Sequence, residues 1–254
     1  MKELQEDPRI NPDRVSITTM RRNLDLMEIE PKRVPTKFYI SSQNVIKRAA
    51  WCKARSKWGQ RKWGTVWFSD ESKLFTQKSG NHFYFRVKND DRLPEIEQKA
   101  MFHRGLEIMV WGYITKEGAG SLIWVDHRLD QNGYLEILQE NLNLEEIKEV
   151  KGIWQQDNAP PHISSIKWLE NQGVDVLEWP AQSPDLNPIE NVWAKIKHEL
   201  WKKRDQITSK NDVWRLAKEI WFGEDIRKMI PKLYNSMPKR ITQCLERNGS
   251  HTKY

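Results

Sequence analysis

Asp70, Asp157 and Glu190 are the residues from which chemistry can be built. Asp70 closes the β-prone run TVWFSD, Asp157 closes IWQQD, and Glu190 falls in the first turn of the helical stretch IENVWAKIKHEL. Gathered at one point, three carboxylates repel one another unless protons or cations sit among them. Their hard oxygens suit a pair of Mg2+ ions about 4 Å apart, and Mn2+ can take the same ligands. Such a pair lowers the pKa of a bound water or 3′-hydroxyl and stabilises a leaving 3′-oxygen, which is phosphodiester chemistry without a covalent enzyme intermediate. Acids at element ends also serve as solvated caps, and Glu71 stands beside Asp70, so the residues alone leave both readings open.

The elements that carry these acids decide whether they can meet. Residues 65–70, 83–88, 107–114 and 121–125 are rich in β-branched and aromatic side chains, which predicts short strands in an antiparallel meander. A helix over 133–142 follows, then a strand over 153–156 that ends at Asp157. A helix over 163–171 is closed by Gly173, and a strand over 174–179 leads into the irregular PAQSPDLNP. Pro184 and Pro188 stiffen that turn, and Asn187 is placed to cap the helix over 189–200 that bears Glu190. The last fifty residues read as helical, centred on DVWRLAKEIW and ITQCLER. Meander, helix, strand, helix is the order of an α/β ribonuclease-H-like domain. In that topology the first and fourth strands are neighbours, which would bring Asp70 and Asp157 to one edge with Glu190 packed across it.

Composition narrows the classes. The 254 residues, 38% apolar with 13 Trp, can bury a core, and 30% charge with this aromatic content is unlike a disordered chain. Two cysteines cannot build a disulfide framework or a tetrahedral zinc site. No apolar run approaches the ~18 residues of a membrane span, and the polar start MKELQEDPRI is unlike a signal peptide, so no membrane partner is expected. The net charge of +7 is unevenly spread: +8 over residues 1–66, −9 over 67–194 and +8 over 195–254. Basic ends suit a polyanion such as DNA, and an acidic middle tolerates one only with compensating cations. Ordinary surface charge is the plainer alternative.

The basic N-terminal third contains the candidate DNA contacts. A helix from Ser16 carries Arg21 and Arg22, and the linker EPKRVPTK carries Lys32 and Arg33. A basic helix over 41–58 carries Lys47 and Arg48, with Val45, Ala49 and Trp51 or Cys52 facing inward. Trp51, Trp58 and Trp63 among these cations fit either a backbone-binding surface or anchors of the helix on the next domain. Asn158 fits phosphate contact or a turn, and His162 fits DNA contact or a helix start.

Four segments carry a resemblance to a known family: WFSDESKLF at 67–75, IMVWGYI at 108–114, QQDNAPPH at 155–162 and WPAQSPDLNPIENVWAKIKH at 179–198. With the ending SMPKRITQCLERNGSHTKY, the chain resembles the DDE transposases of the Tc/mariner superfamily over residues 12–254. The resemblance implies a ribonuclease-H-like (DDE transposase/integrase) catalytic domain with a short helical N-terminal segment and a helical C-terminal tail. It places a helix-turn-helix remnant at 1–35, a basic linker helix at 36–63, the catalytic domain at 64–200 and a helical extension at 201–254. It implies that Asp70, Asp157 and Glu190 bind two Mg2+, or Mn2+ in their place. It also implies a nuclear homodimer that binds terminal inverted repeats in double-stranded DNA, cuts both strands and integrates at TA.

Two departures from the family pattern bear on this. The first of two expected helix-turn-helix units is absent and the second is compressed, which would impair recognition of inverted repeats. The 32 residues between Asp157 and Glu190 are two fewer than in the pattern, with the shortage between His162 and Trp168. Two residues are about 200° and 3 Å of helix, so Glu190 reaches the other acids only if the loss is absorbed in the turn before that helix. The expected function is transposition, in an active, defective or domesticated copy. A ribonuclease-H-like nuclease and a non-catalytic DNA-binding derivative are the alternatives.

Overall fold

The computed structural model describes residues 16–27, 30–33, 36–75, 84–87, 96–97, 106–126 and 129–254. Its contacts group into two units, Ile40–Lys78 with Phe102–Tyr254, and Met1–Tyr39 with Ser79–Met101.

The larger unit begins with helix α1 (Ser42–Ala54), capped by the Ser41 hydroxyl, which accepts from Asn44 N–H, and with the single turn α2 (Gln60–Trp63). Strands β1 (Val66–Phe75), β2 (Glu107–Ile114) and β3 (Ala119–Val125) form the meander. Helices α3 (Gln131–Asn141) and α4 (Leu144–Glu149) lead to β4 (Ile153–Gln155). Then come α5 (Ile163–Asn171), β5 (Asp175–Leu177), α6 (Ile189–Lys202), α7 (Lys210–Trp221) and α8 (Glu224–Glu246). Among the described residues these strands make one five-stranded sheet in the order β3-β2-β1-β4-β5. The first three strands are antiparallel, and β1/β4 and β4/β5 are parallel. First and fourth strands are therefore neighbours, as the ribonuclease-H-like reading requires.

Strand alternation sends successive side chains to opposite faces, and each face has its own core. Val66 and Phe68 pack with Val192, Trp193, Leu216, Trp221 and Tyr234 of α6, α7 and α8. Trp67, Trp111 and Trp154 pack with Tyr134, Leu138, Ile147 and Leu169 of α3, α4 and α5. Trp51, Cys52 and Trp63 belong to the first of these cores, so these tryptophans anchor α1 and α2 on the sheet. Trp58 is half-buried beside them, its ring under Arg55 and Lys62.

Three expectations need correction. The first strand does not end at Asp70 but runs on to Phe75, because β2 pairs with it from Phe68 to Phe75 after its parallel partner β4 has stopped at Gln155. Residues Tyr84–Val87 are a strand but not part of the meander; they pair antiparallel with Glu30–Arg33 in the smaller unit. Arg48 does not lie on a basic surface: it is fully buried against Asp185. The smaller unit also contains the parallel pair Thr36–Lys37 with Ile96–Glu97, and the helix Ile17–Leu26, whose N-cap Ser16 hydroxyl accepts from Thr19 N–H at 3.2 Å. Among the described residues no helix is long and apolar enough to cross a membrane.

The Tyr234 hydroxyl of α8 stands 2.7 Å from the Val66 carbonyl and 2.9 Å from the Ile114 carbonyl, both buried at the sheet. Tyr234→Phe leaves the packing and removes that donor. It is expected to lower stability by about 1 to 3 kcal/mol, read as a drop in the urea midpoint of the intact chain at unchanged m-value.

Candidate active site

Asp70 and Asp157 come together through strand register. Phe68 is opposite Gln155 in the parallel β1/β4 pair, and each aspartate follows two residues later. Parallel neighbours lie about 4.8 Å apart, so the two acids stand side by side just beyond the last β1/β4 pair. Glu190 arrives on the first turn of α6, whose Ile189, Val192, Trp193, Ile196 and Leu200 are buried on the sheet. The α6 entrance is pinned beside Asp70: Asn187 Nδ2 donates to the Ser69 carbonyl at 3.2 Å, and its Oδ1 accepts from Ile189 N–H at 3.3 Å. All three carboxylates line one cleft of about 340 Å3, together with Asn158, Gln182, Ser183 and Asn187. The chain leaves Asp157 through the 3-10 helix Pro160–His162 and enters α5, which ends at Asn171 with Gly173 beyond it at φ +78°.

Each acid has a distinct environment. Asp70 keeps partial access to the cleft while protein encloses its carboxyl, and Oδ2 accepts from Trp193 Nε1 at 3.1 Å. Burial, and then the charges of Glu190, Glu71 and Asp157, push its pKa well above the ordinary aspartate value. Burial raises Glu190 as well, against the pull of Lys197. The same burial lowers the Lys197 pKa, with Glu190 and Asp70 opposing. Asp157 goes the other way. Burial opposes its charge, but His162 and the Ala159 N–H hold its pKa below the usual value. His162 Nδ1 lies 2.7 Å from Asp157 Oδ1, and Ala159 N–H donates to the same oxygen at 2.9 Å.

His162 stands at the start of α5, the second of its two expected roles, and is 3% exposed. Its Nε2 is 3.3 Å from Glu71 Oε1, an ion-pair distance without hydrogen-bond geometry. Burial works against the imidazolium, but Asp157 and Glu71 outweigh it and raise the pKa to about 10. Glu71 was visible only as the neighbour of Asp70; strand alternation turns it to the opposite face, where His162 meets it. Gln156 supports the same turn, its Nε2 donating to the His162 carbonyl and to Ser165 Oγ, both at 2.9 Å. Asn158 donates from Nδ2 to the Trp179 carbonyl at 2.7 Å, which ties the Asp157 loop to the far cleft wall.

Of the other cations, Lys47 is exposed on α1 and Arg22 is exposed on the helix Ile17–Leu26, which also carries Arg21. Lys32 and Arg33 lie in the strand Glu30–Arg33. The side chains of Arg21, Lys32 and Arg33 fall outside the described residues. Sequence reasoning passed over Lys197, which follows Glu190 by two helical turns, and the donor role of Trp193, three residues after Glu190. Both offsets return a side chain to one helix face.

The donor set consists of carboxylates, the hard oxygens that Mg2+ and Mn2+ accept. Burial raises Asp70 and repulsion from the neighbouring acids adds to it; a divalent cation would relieve that repulsion, so the residues present fit such ions. Among the described residues no three His, Cys, Asp or Glu side chains are already gathered at ligand spacing.

Sheet order, register and this cleft define a DDE-type catalytic domain. Residues 65–213 match the model of the DDE superfamily endonucleases. The chain is 32% identical over 241 residues to the Tc1 transposase of Caenorhabditis elegans, covering 93% of this chain and 87% of that protein. It is likewise 32% identical over 245 residues to the Tcb2 transposase of Caenorhabditis briggsae, covering 94% and 88%. Among solved structures, its fold resembles the mariner Mos1 paired end complex with Mg, at TM-score 0.72 and 18% identity, covering 99% of this chain and 78% of that one. The chain belongs to the DDE superfamily endonucleases, with the Tc-type transposases as relatives.

Asp70→Asn removes one buried charge and keeps an oxygen for Trp193. A carboxyl whose folded pKa lies above its unfolded value makes folding less favourable as pH rises between the two. Without added metal, the variant is therefore expected to have the higher urea midpoint at pH 7, with the gap closing as the pH falls toward the ordinary carboxylate range.

Proposed function

We propose that this protein is a metal-dependent DNA transposase that cleaves and joins DNA strands. The observation that carries the reading is the single cleft shared by Asp70, Asp157 and Glu190, in a chain whose relatives are transposases. In this reading the three carboxylates hold two divalent cations, Mg2+ or Mn2+. Support comes from Mos1, whose catalytic domain has been solved with Mg and with Mn. The double-stranded DNA partner rests on the same protein, solved as a paired-end complex with its left transposon end and as a strand transfer complex. Terminal inverted repeats, a TA target, a homodimer and a nuclear location complete the proposal.

Asp70, Asp157 and Glu190 would hold the cations, which would supply activation of a water or 3′-hydroxyl and offset charge on a leaving 3′-oxygen. The chain's own residues set the frame. His162 stays protonated at neutral pH and fixes Asp157 through Oδ1. Trp193 fixes Asp70, and Lys197 offsets part of the charge of Glu190. Lys47, Lys53, Lys57, Arg61 and Lys62 are exposed on and around α1 and α2, and their charge suits phosphates.

Supercoiled plasmid with Mg2+, Mn2+ or EDTA tests this directly. Wild type is expected to nick with either metal and not with EDTA. Asp157→Asn and Glu190→Gln are expected to lose at least about 100-fold in nicking rate while DNA retention on a filter is unchanged. Nicking that persists in EDTA, or in both variants, defeats the reading. A Lys53→Ala/Lys57→Ala variant is expected to bind all DNA sequences more weakly and to lower the slope of log K against log salt by about 1 per phosphate contact removed.

A further inference from the structure

Asp185 is 4% exposed and stands five residues before Glu190, in the 3-10 turn Pro184–Leu186 that helps wall the cleft. Its carboxylate receives a bidentate pair from Arg48, Nη1 to Oδ1 and Nη2 to Oδ2, both at 2.8 Å. Thr252 N–H donates to Oδ2 at 2.8 Å. Arg48 also donates from Nε to the Gly249 carbonyl at 2.8 Å and from Nη1 to the Gln182 carbonyl at 3.0 Å. The approach of the tail to α1 is close: a Cβ at Gly249, which has φ +90°, would collide with the Val45 carbonyl oxygen.

A second buried guanidinium completes the arrangement. Arg240 of α8 donates from Nη1 to the Asp185 carbonyl at 2.8 Å and from Nη2 to Asn191 Oδ1 at 2.6 Å. Its Nε donates to Ser236 Oγ at 3.0 Å, and its guanidinium carbon lies 4.2 Å from the centre of the Tyr254 ring. Arg240 thus grips the chain on both sides of Glu190, at Asp185 before it and at Asn191 after it.

We infer that Arg240 and Asn191 are positioning residues that set the first turn of α6, and with it the Glu190 carboxylate, with Asp185 as the anchor that Arg48 and the C-terminal tail hold in place. This deepens the reading of the cleft as a divalent-metal site and rests on it. A planar guanidinium offers donors in fixed directions, so a fork shared between a backbone carbonyl and a helix side chain fixes both shift and rotation of that turn. Buried ion pairs are poor sources of net stability. Here one buried ion pair, Arg48 with Asp185, and one buried guanidinium, Arg240, converge on a single loop beside Glu190, which is the pattern of a geometric constraint. Groups that support a metal ligand from outside commonly alter metal affinity by about 10- to 100-fold when changed.

The test is Mn2+ binding to the intact chain, followed by the free-ion EPR signal, with plasmid nicking as a second readout. Asn191→Leu and the milder Asn191→Ala remove the acceptor for Arg240 and leave all three carboxylates. Tyr234→Phe serves as the control, since it weakens the fold away from the cleft. The expected result is about 10-fold weaker Mn2+ binding in the Asn191 variants, with a cooperative melt and unchanged DNA retention, and wild-type Mn2+ affinity in Tyr234→Phe. A folded Asn191 variant with wild-type Mn2+ affinity overturns the inference while leaving the cleft reading intact. Loss of Mn2+ affinity in Tyr234→Phe equal to that in the Asn191 variants overturns it too, because affinity would then follow stability. A wild type that binds no Mn2+ and nicks no DNA removes the cleft reading and this inference together.

Discussion

Asp70 stands at the point where β1 has lost its parallel partner β4 and continues only against β2. That single change of pairing opens the cleft. Beyond Phe68 and Gln155 no ladder joins the two strands, so the chain after β4 is free to turn away, and the carboxyls of Asp70 and Asp157 face the space between. The same location is electrostatically costly, because protein encloses the carboxyls of Asp70 and Glu190 there with further acids beside them. Much of the larger unit can be understood as the arrangement that holds this repulsion in place instead of letting the strands splay.

The restraint comes from both faces of the sheet by different means. On the α6 side it is a donor and a cation: Trp193, stacked at 4.9 Å on Trp221, directs its N–H to Asp70, and the charge of Lys197 favours the ionised form of Glu190. On the α5 side it is an ion pair, His162 between Asp157 and Glu71, with the Tyr134 ring 4.0 Å from the imidazole. The two sides have opposite effects on protonation. Asp70 is driven toward its neutral form and Asp157 is kept ionised. Two carboxyls at equivalent register positions therefore differ in readiness to accept a cation, and the difference arises from what packs behind each strand.

Some of this was legible in the sequence because it is local. The helix Ile163–Asn171 follows from its place before Gly173, and the helix Ile17–Leu26 follows from the Ser16 hydroxyl placed just before a helical run, whereas Ser41, read as part of its helix, proved to be the cap. The three acids were legible by type and by their positions in β-prone and helical stretches. Non-local features were not. The alternation of Tyr84–Val87 gives no sign that its partner is Glu30–Arg33 and not a strand of the central sheet. Arg48 in a lysine- and arginine-rich helix looks like its neighbours, and only the arrival of Asp185, 137 positions away, turns it inward. His162 was indistinguishable from a surface histidine until α5 folded it against Glu71.

The fate of the basic ends follows from the same distinction. Net charge of +8 at either end of the sequence suggests two cationic flanks, but charge on the sequence is not charge on the surface. Arg48 at one end and Arg240 at the other are fully buried, and both converge on Asp185. The two flanks therefore contribute to one internal junction as well as to solvent. That junction joins α1, α8 and the final residues to the turn that precedes Glu190. A change in how α1 sits on the sheet would reach the Asp185 turn through Arg48 without crossing the hydrophobic core. Arg48 couples α1 to the cleft wall, whereas Lys47, one residue away on the same helix, faces solvent.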